Sequence, residues 1–228
     1  MSSSTGDPAV SFVVPARNEA DLLPATLSSI RAVAASIDHE CLVVDGDSND
    51  ATRAVARDHG ARVIGGPATG QGDARHRGAR HAGGRWLAFI DADTRLLKGY
   101  VETMLAFVRE HDLAGANSRC RITGDWRTVP FERLFNYGLP GLSPPVFPGF
   151  NVFVSRSAYF DVGGFDSGPN EDVTFSRRLG RAYATATCPQ VLVETSGRRV
   201  ARDGFWRTVG YYTALEYRRQ VTASGSRN

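Results

Sequence analysis

The chain has 228 residues, enough for one substantial domain with a buried core and too few for two full ones. A hydrophobic share of 42% with 24 glycines is that of a soluble globular chain and excludes disordered and collagen-like classes. The formal charge of +3 conceals an asymmetry that suits an anionic ligand held through a metal: residues 1–115 carry 12 basic and 15 acidic groups, residues 116–228 carry 15 and nine, and the stretch from Thr195 to Asn228 alone has seven arginines against Asp203 and Glu216.

Residues 9–14, AVSFVV, read as a short apolar strand ending at Pro15, with Arg17, Asn18 and Glu19 as the polar turn behind it. Leu23, Leu27, Ile30 and Ala34 then recur at helical spacing, Asp21 is placed to cap that helix, and Pro24 falls in its first turn, where no hydrogen bond is lost. A second strand over 41–44 runs into the polar stretch Asp45 to Asp50, followed by a helix over 51–59 and a strand over 61–64. After a glycine-rich loop, 65–72, come an arginine-rich helix over 73–82 and a wholly apolar strand over 86–90 that ends on Asp91, Ala92, Asp93 and Thr94. Past Gly115 the alternation weakens. Residues 125–150 hold five of the 11 prolines together with Trp126, Phe131, Phe135, Tyr137, Phe147 and Phe150, and read as a loop-rich, aromatic cover. Strands over 151–154 and 190–194, a helix over 171–181 and a closing helix over 204–220 complete the pattern.

Apolar strands alternating with helices predict an α/β fold, a mostly parallel sheet flanked by helices on both faces, with ligands bound off the carboxyl ends of the strands. Polar clusters stand at three of those ends: Arg17 to Glu19, Asp45 to Asp50, and Asp91 to Thr94. Residues 1–8 read as a disordered N-terminus, 9–222 as one domain and 223–228 as a tail. No apolar run reaches the length of about 18 residues that spans a bilayer, and MSSSTGDP has neither a basic nor an apolar signal region, so the expected location is the cytoplasm. Cys41, Cys120 and Cys188 have no CxxC spacing and read as reduced thiols.

Several chemistries lack their residues. The only lysine, Lys98, is not in a Gly-Lys-Ser/Thr phosphate loop, no GxGxxG follows the first strand, and the five histidines form no HExxH. Gly46, Asp47 and Ser48 after a strand are similar to the opening block of the GDS esterases, but no histidine follows His111 to act as the general base for Ser48. A haloacid dehalogenase phosphatase would need a lysine well downstream of its strand-end Asp-x-Asp, and none follows Lys98.

Asp91 and Asp93 at the end of an apolar strand can offer carboxylates to a hard divalent ion, which takes oxygen ligands and bridges substrate phosphates. Together with VVPARNEA (13–20), VVDGDSNDAT (43–52), GQGDARHRGARHAGGRWLAFIDADT (70–94), Gly163 to Asp166, Glu171 and Asp172 opening VTFSRRL, and Thr195 to Arg199 with Gly204 to Thr208, the chain resembles the family 2 glycosyltransferases of the GT-A fold over residues 9 to about 212. The last two motifs resemble a small soluble subgroup of that family.

The resemblance implies inverting transfer of a sugar from a nucleoside-diphosphate donor, UDP- or GDP-linked, to a hydroxyl of a saccharide, metabolite or lipid-linked acceptor. Residues 9–115 become the nucleotide-sugar-binding half, and 116–222 the half carrying acceptor and base. Pro15, Ala16, Arg17, Asn18 and Glu19 would form the first nucleotide loop, with Glu19 on the ribose side. Asp45 would accept from the imide N–H of the base, with Ser48, Asp50 and Thr52 bracing its turn. Arg75 would lie against the base or a phosphate, and His76 stands where the family usually has Asn. Asp91 would contact ribose or a metal-bound water, Asp93 would ligate Mg²⁺ or Mn²⁺, and Asp172 would be the general base with Glu171 tuning it. Arg198 and Arg199 would clamp the diphosphate, or the basic C-terminal segment would touch anionic lipid at the inner membrane face. Nucleic acid is not the expected anion. A catalytically silent nucleotide-sugar-binding protein of the same fold and, less favoured, the Ser48 esterase are the competing readings.

Overall fold

The computed structural model describes residues 8–67, 69–168 and 170–198. The first four strands are β1 (Val10–Ala16), β2 (His39–Asp45), β3 (Arg62–Ile64) and β4 (Trp86–Ile90), joined by helices α1 (Leu23–Val33), α2 (Thr52–Asp58) and α3 (Gln71–His81). Then follow β5 (Thr94–Leu96), α4 (Tyr100–Glu110), β6 (Gly115–Thr123), a short helix α5 (Val129–Arg133), β7 (Asn151–Ser155), α6 (Arg156–Asp161), α7 (Glu171–Ala182) and β8 (Thr185–Ser196).

All eight strands form one sheet in the order β3-β2-β1-β4-β7-β6-β8-β5. The first four pair in parallel, as the alternating pattern predicts. Beyond β4 the sheet is mixed, because β7 runs against both β4 and β6, and β5 runs against β8. Alternate residues of β1 point to opposite faces, so Val10, Phe12 and Val14 join one apolar layer with α1 and α4, while Val13 joins the other with α3 and α7. Gly78 lets α3 sit close to the sheet, since a Cβ there would lie 2.3 Å from a Val13 methyl and 2.8 Å from a Val44 methyl.

Two expectations are corrected, and two features appear that the pattern did not predict. Asp21 does not cap α1, whose N-cap position is Leu22 with no side-chain bond, although Pro24 does lie in the first turn. The long parallel ladder of β6 with β8 and the helix α4 were not foreseen in the region past Asp93. Residues 126–138 are helical turns and not an irregular cover. The closing helix expected over 204–220 lies outside the described residues. Among the described residues no helix is long and apolar enough to cross a membrane.

Candidate active site

Parallel pairing brings the carboxyl ends of β1, β2 and β4 to one edge, with Ala16 in register with Asp45. Pro15 is tolerated within β1 because the β1–β4 ladder stops at Val13, so its missing N–H breaks no bond on that side. The two loops beyond β1 and β2 lock together. Asn18 N–H donates to Ser48 Oγ at 2.9 Å, Glu19 N–H to Thr52 Oγ1 at 2.9 Å, Ala20 N–H to Asp50 Oδ2 at 3.2 Å, and Asn49 N–H to Asn18 Oδ1 at 3.0 Å. Asn18 and Asp47 hold left-handed backbone at φ 55 and 64, a conformation that Asn and Asp adopt more readily than other side chains. Arg17 projects into solvent from this edge.

Asp45 is fully buried at the end of β2. Its Oδ2 accepts from Ser48 N–H at 3.2 Å and from Arg53 Nε at 2.5 Å, while its Oδ1 is buried without a partner. Burial pushes its pKa up, but the hydrogen bonds from Ser48 and the Arg53 pair prevail and hold it below the ordinary carboxylate value. A buried carboxylate with one unpaired oxygen retains an unused acceptor position. Arg53, in the first turn of α2, was not singled out from the sequence; an arginine eight residues after a strand-end Asp was the available signal.

Arg75 is 1% exposed and bridges two parts of the edge. Its Nη2 donates to Asp91 Oδ1 at 2.7 Å and its Nη1 to Glu171 Oε1 at 2.6 Å, with the guanidinium 5.5 Å from the Phe165 ring centre. Both terminal nitrogens are therefore engaged by carboxylates. A Cβ on Gly149 would meet the guanidinium at 2.7–2.8 Å, so glycine is what allows the loop before β7 to pass this close. His76 turns away to Tyr159, with Nδ1 3.2 Å from the phenol oxygen.

Asp172 follows Glu171 in the first turn of α7 and is half-buried. Its oxygens accept from Gly149 N–H at 3.2 Å and Val173 N–H at 2.8 Å. Burial first, and then the charge of Glu171, push its pKa up to about 6, against the opposing pull of Arg75. The chain enters α7 through Gly163 and Gly164 at φ 83 and 67 and Asn170 at φ 55. Gly163 and Gly164 supply the left-handed turn that the glycine pair suggested.

On the other flank Arg198 reaches back from beyond β8. Its Nε lies 3.1 Å from Asp93 Oδ2, and its two terminal nitrogens grip both oxygens of Glu19, one at 2.7 Å. Burial, then the nearby charge of Asp91, raise the pKa of Asp93 to about 6, although Arg198 opposes the shift. Arg199 lies outside the described residues. Glu19, Asp91, Asp93, Glu171 and Asp172 against Arg75 and Arg198 leave three negative charges in excess when all are ionised, a deficit of cation that fits a divalent ion. No group of three His, Cys, Asp or Glu side chains among the described residues could hold a metal by itself. Any ion held here would therefore need oxygen ligands from a substrate or from water beside a carboxylate such as Asp93.

The sequence profile of Glycosyl transferase family 2 matches residues 11–184. The chain belongs to glycosyl transferase family 2. Among the curated members, an uncharacterised glycosyltransferase of Mycobacterium bovis is 40% identical over 98 residues, 43% of each chain. The PGL/p-HBAD biosynthesis glycosyltransferase of M. bovis is 38% identical over 112 residues, 46% of this chain and 43% of the relative. The 4,4'-diaponeurosporenoate glycosyltransferase of Staphylococcus haemolyticus is 37% identical over 94 residues, 38% of this chain and 24% of the relative. The chain thus spans less than half the length of these relatives. Among solved structures, S. aureus TarS 1–349 in complex with UDP-GlcNAc superposes with a TM-score of 0.66 at 16% identity, covering 83% of this chain and 58% of that one. The mannosyltransferase PcManGT from Pyrobaculum calidifontis, in complex with GDP-Man and Mn²⁺, gives 0.66 at 21% identity, covering 83% and 57%. These structural likenesses show the GT-A fold.

The structure brings Glu19, Asp91, Asp93, Glu171, Asp172, Arg75 and Arg198 into one connected set of ion pairs and neighbours. Asp45 stands apart from that set, at the end of the adjacent strand. Ser48 Oγ is engaged by Asn18 N–H, and no histidine hydrogen-bonds to it among the described residues.

Proposed function

We propose that the chain transfers a sugar from a nucleoside-diphosphate sugar to an acceptor hydroxyl with inversion, using Asp172 as general base. The observation that carries this reading is Arg75, 2.6–2.7 Å from both Glu171 and Asp91. One guanidinium width separates the strand end that would hold the donor from the helix start that would hold the base.

The unpaired Oδ1 of Asp45 accepts a ring N–H of the base, N3–H of uracil or N1–H of guanine, with UDP and GDP donors as the expected class. The loop from Pro15 to Glu19 lines the nucleotide on the β1 side, with Glu19 toward the ribose. Asp93 would hold Mg²⁺ or Mn²⁺ with Asp91 behind it, and such an ion would supply positive charge against the departing diphosphate. Arg198 exchanges its carboxylate partners for diphosphate oxygens, for which a guanidinium fork is suited, with Arg199 as its neighbour in that clamp. Arg75 holds Asp91 and Glu171 in place and reaches the donor through Asp91. Asp172, with a pKa near 6, is ionised at neutral pH and still basic enough to take the proton of the attacking hydroxyl.

The names of two relatives point to large apolar or glycolipid acceptors, so a lipid-linked or otherwise amphiphilic acceptor at the inner face of a membrane is the favoured class. The test is a thermal-shift screen of UDP-, GDP- and dTDP-sugars with and without Mn²⁺, followed by transfer assays of wild type and Asp172→Asn. The expected result is a metal-dependent rise in melting temperature with one donor, and transfer lost in Asp172→Asn while donor binding is kept. A protein that binds donor and is equally inactive in both forms is a silent binding protein, and one that no nucleotide stabilises is not a transferase of this type.

A further inference from the structure

The segment between β6 and β7 has an outer side that no described residue covers. From Trp126 to Gly138 the chain is one continuous helical stretch, tight at Trp126–Thr128 and widened at Leu134–Gly138. Its inner side packs on the sheet through Thr128, Phe131 and Asn136, and the Asn136 amide exchanges hydrogen bonds with the N–H and C=O of Cys120 at 2.8 Å each. The outer side carries Trp126, 78% exposed, Val129, Leu134 and Tyr137, 63% exposed, and Leu142 follows just beyond. Exposed aromatic and aliphatic side chains gathered in one place on a short helical stretch mark an interaction surface.

The net charge around this side is positive. Arg133 lies on the same helical stripe as Trp126 and Tyr137, is exposed and has no ion-pair partner among the described residues. Arg119 sits over the Tyr137 ring at 4.6 Å, and Arg121 is exposed with only a 3.8 Å contact to Glu194. Of the two acids in the segment, Asp125 is neutralised by Arg127 at 2.5 Å, and Glu132 turns inward to accept from Ile122 N–H at 2.8 Å.

We propose that this face docks on a lipid bilayer that contains anionic headgroups. Trp126 and Tyr137 have the amphipathic rings that settle at headgroup level, Val129, Leu134 and Leu142 suit the acyl boundary, and the arginines pair with headgroup phosphates. A second copy meeting this face across a twofold axis would bring like charges together, which disfavours a dimer as its occupant. The inference goes beyond the transfer reaction and stands whether or not the donor chemistry above is right. The docked segment also leads to Gly149, whose N–H holds Asp172, so docking and base positioning share one stretch of chain.

The experiment is vesicle flotation of the full chain with phosphatidylcholine alone and with about 30% phosphatidylglycerol, together with quenching of tryptophan emission by brominated lipid. Wild type is expected to float with the anionic vesicles and not with the neutral ones, and Trp126→Phe to lose most of the quenching. Arg133→Glu is expected to lower partitioning about tenfold or more, and Trp126→Ser with Leu134→Ser to do the same with an unchanged far-ultraviolet spectrum. Should the double variant fail to fold, Arg133→Glu and Trp126→Phe, both exposed changes, still decide. The proposal is overturned if wild type floats with neither vesicle, if flotation persists unchanged in Arg133→Glu, if Trp126→Phe keeps the full quenching, or if the double variant dissolves a dimer while leaving lipid binding intact.

Discussion

The loops proposed to hold the donor and the side of the site proposed to carry the base are held in different ways. At the ends of β1 and β2 four separate hydrogen bonds, from Asn18, Glu19, Ala20 and Asn49, tie two turns that parallel pairing already places side by side. Glu171 and Asp172 sit at the start of a helix that reaches the same edge through Arg75, a partner 96 residues earlier, and through the Gly149 N–H. The first region distributes its support and tolerates the loss of any one bond. The second converges on one buried cation, so a single change there reaches the donor edge and the base together.

Asp172→Asn gives the largest expected effect, a fall in transfer of about a thousandfold with donor affinity within about twofold, read by calorimetry beside a transfer assay. Wild-type kcat should rise about tenfold per pH unit up to a plateau above about 6, where Asp172 becomes ionised. Stability runs the other way. The folded chain keeps the Asp172 proton up to about pH 6, whereas the unfolded chain releases it near 3.8, so this group's contribution to stability falls as pH rises between those values. Asp172→Asn removes the penalty and should raise the melting temperature at pH 7.5, by at most about 3 kcal/mol of stability, with the two melting curves converging below pH 4. An active variant, or one destabilised at pH 7.5, removes Asp172 from the role of base.

Arg75→Met is expected next, since it leaves Asp91 and Glu171 without their partner in a buried place, at a cost of about 3–5 kcal/mol and a melting temperature lower by about 10 °C. Both donor binding and transfer should fall. Arg75→Lys should not rescue, because an ammonium lacks the fork that spans two carboxylates. A variant that keeps full donor affinity separates the two regions and breaks the contrast between them.

The same contrast explains what could be read from the chain. The parallel half was legible because each strand is a short apolar run followed by a turn, and β1, β2 and β4 fall where the periodicity puts them. The carboxylates Asp45, Asp91 and Asp93 announced themselves by standing at strand ends. β6 was not legible, because Gly115–Thr123 contains Asn117, Ser118, Arg119 and Arg121, and its strand state rests on pairing with β7 and β8 far along the chain, including two register shifts. The engagement of Arg75 by Glu171 and of Arg198 by Glu19 was equally hidden, since separations of 96 and 179 residues leave no local trace.

Within the donor loops, Asp45→Asn tests the one position there without a substitute. An amide can present its NH₂ to the imide N–H and loses the charged bond to Arg53, so the donor dissociation constant should rise about thirtyfold, near 2 kcal/mol, with kcat little changed, as titration with UDP and GDP would show. An unchanged constant moves the base-reading role away from Asp45.

Ser48→Ala is the smallest change and the sharpest probe of distributed support. It removes the acceptor of the Asn18 N–H, and Asn18 sits at a left-handed φ of 55 that the turn must hold. Three neighbouring bonds, from Glu19, Ala20 and Asn49, remain. The expected loss is therefore about 1 kcal/mol of stability and a few-fold rise in the donor KM, with kcat retained, measured by denaturant unfolding and donor titration. Retained kcat also closes the esterase reading, in which Ser48 is the nucleophile and its removal abolishes turnover. Abolished turnover with intact donor binding would reverse both conclusions, making this loop a site of chemistry and its hydrogen bonds a means of holding a nucleophile.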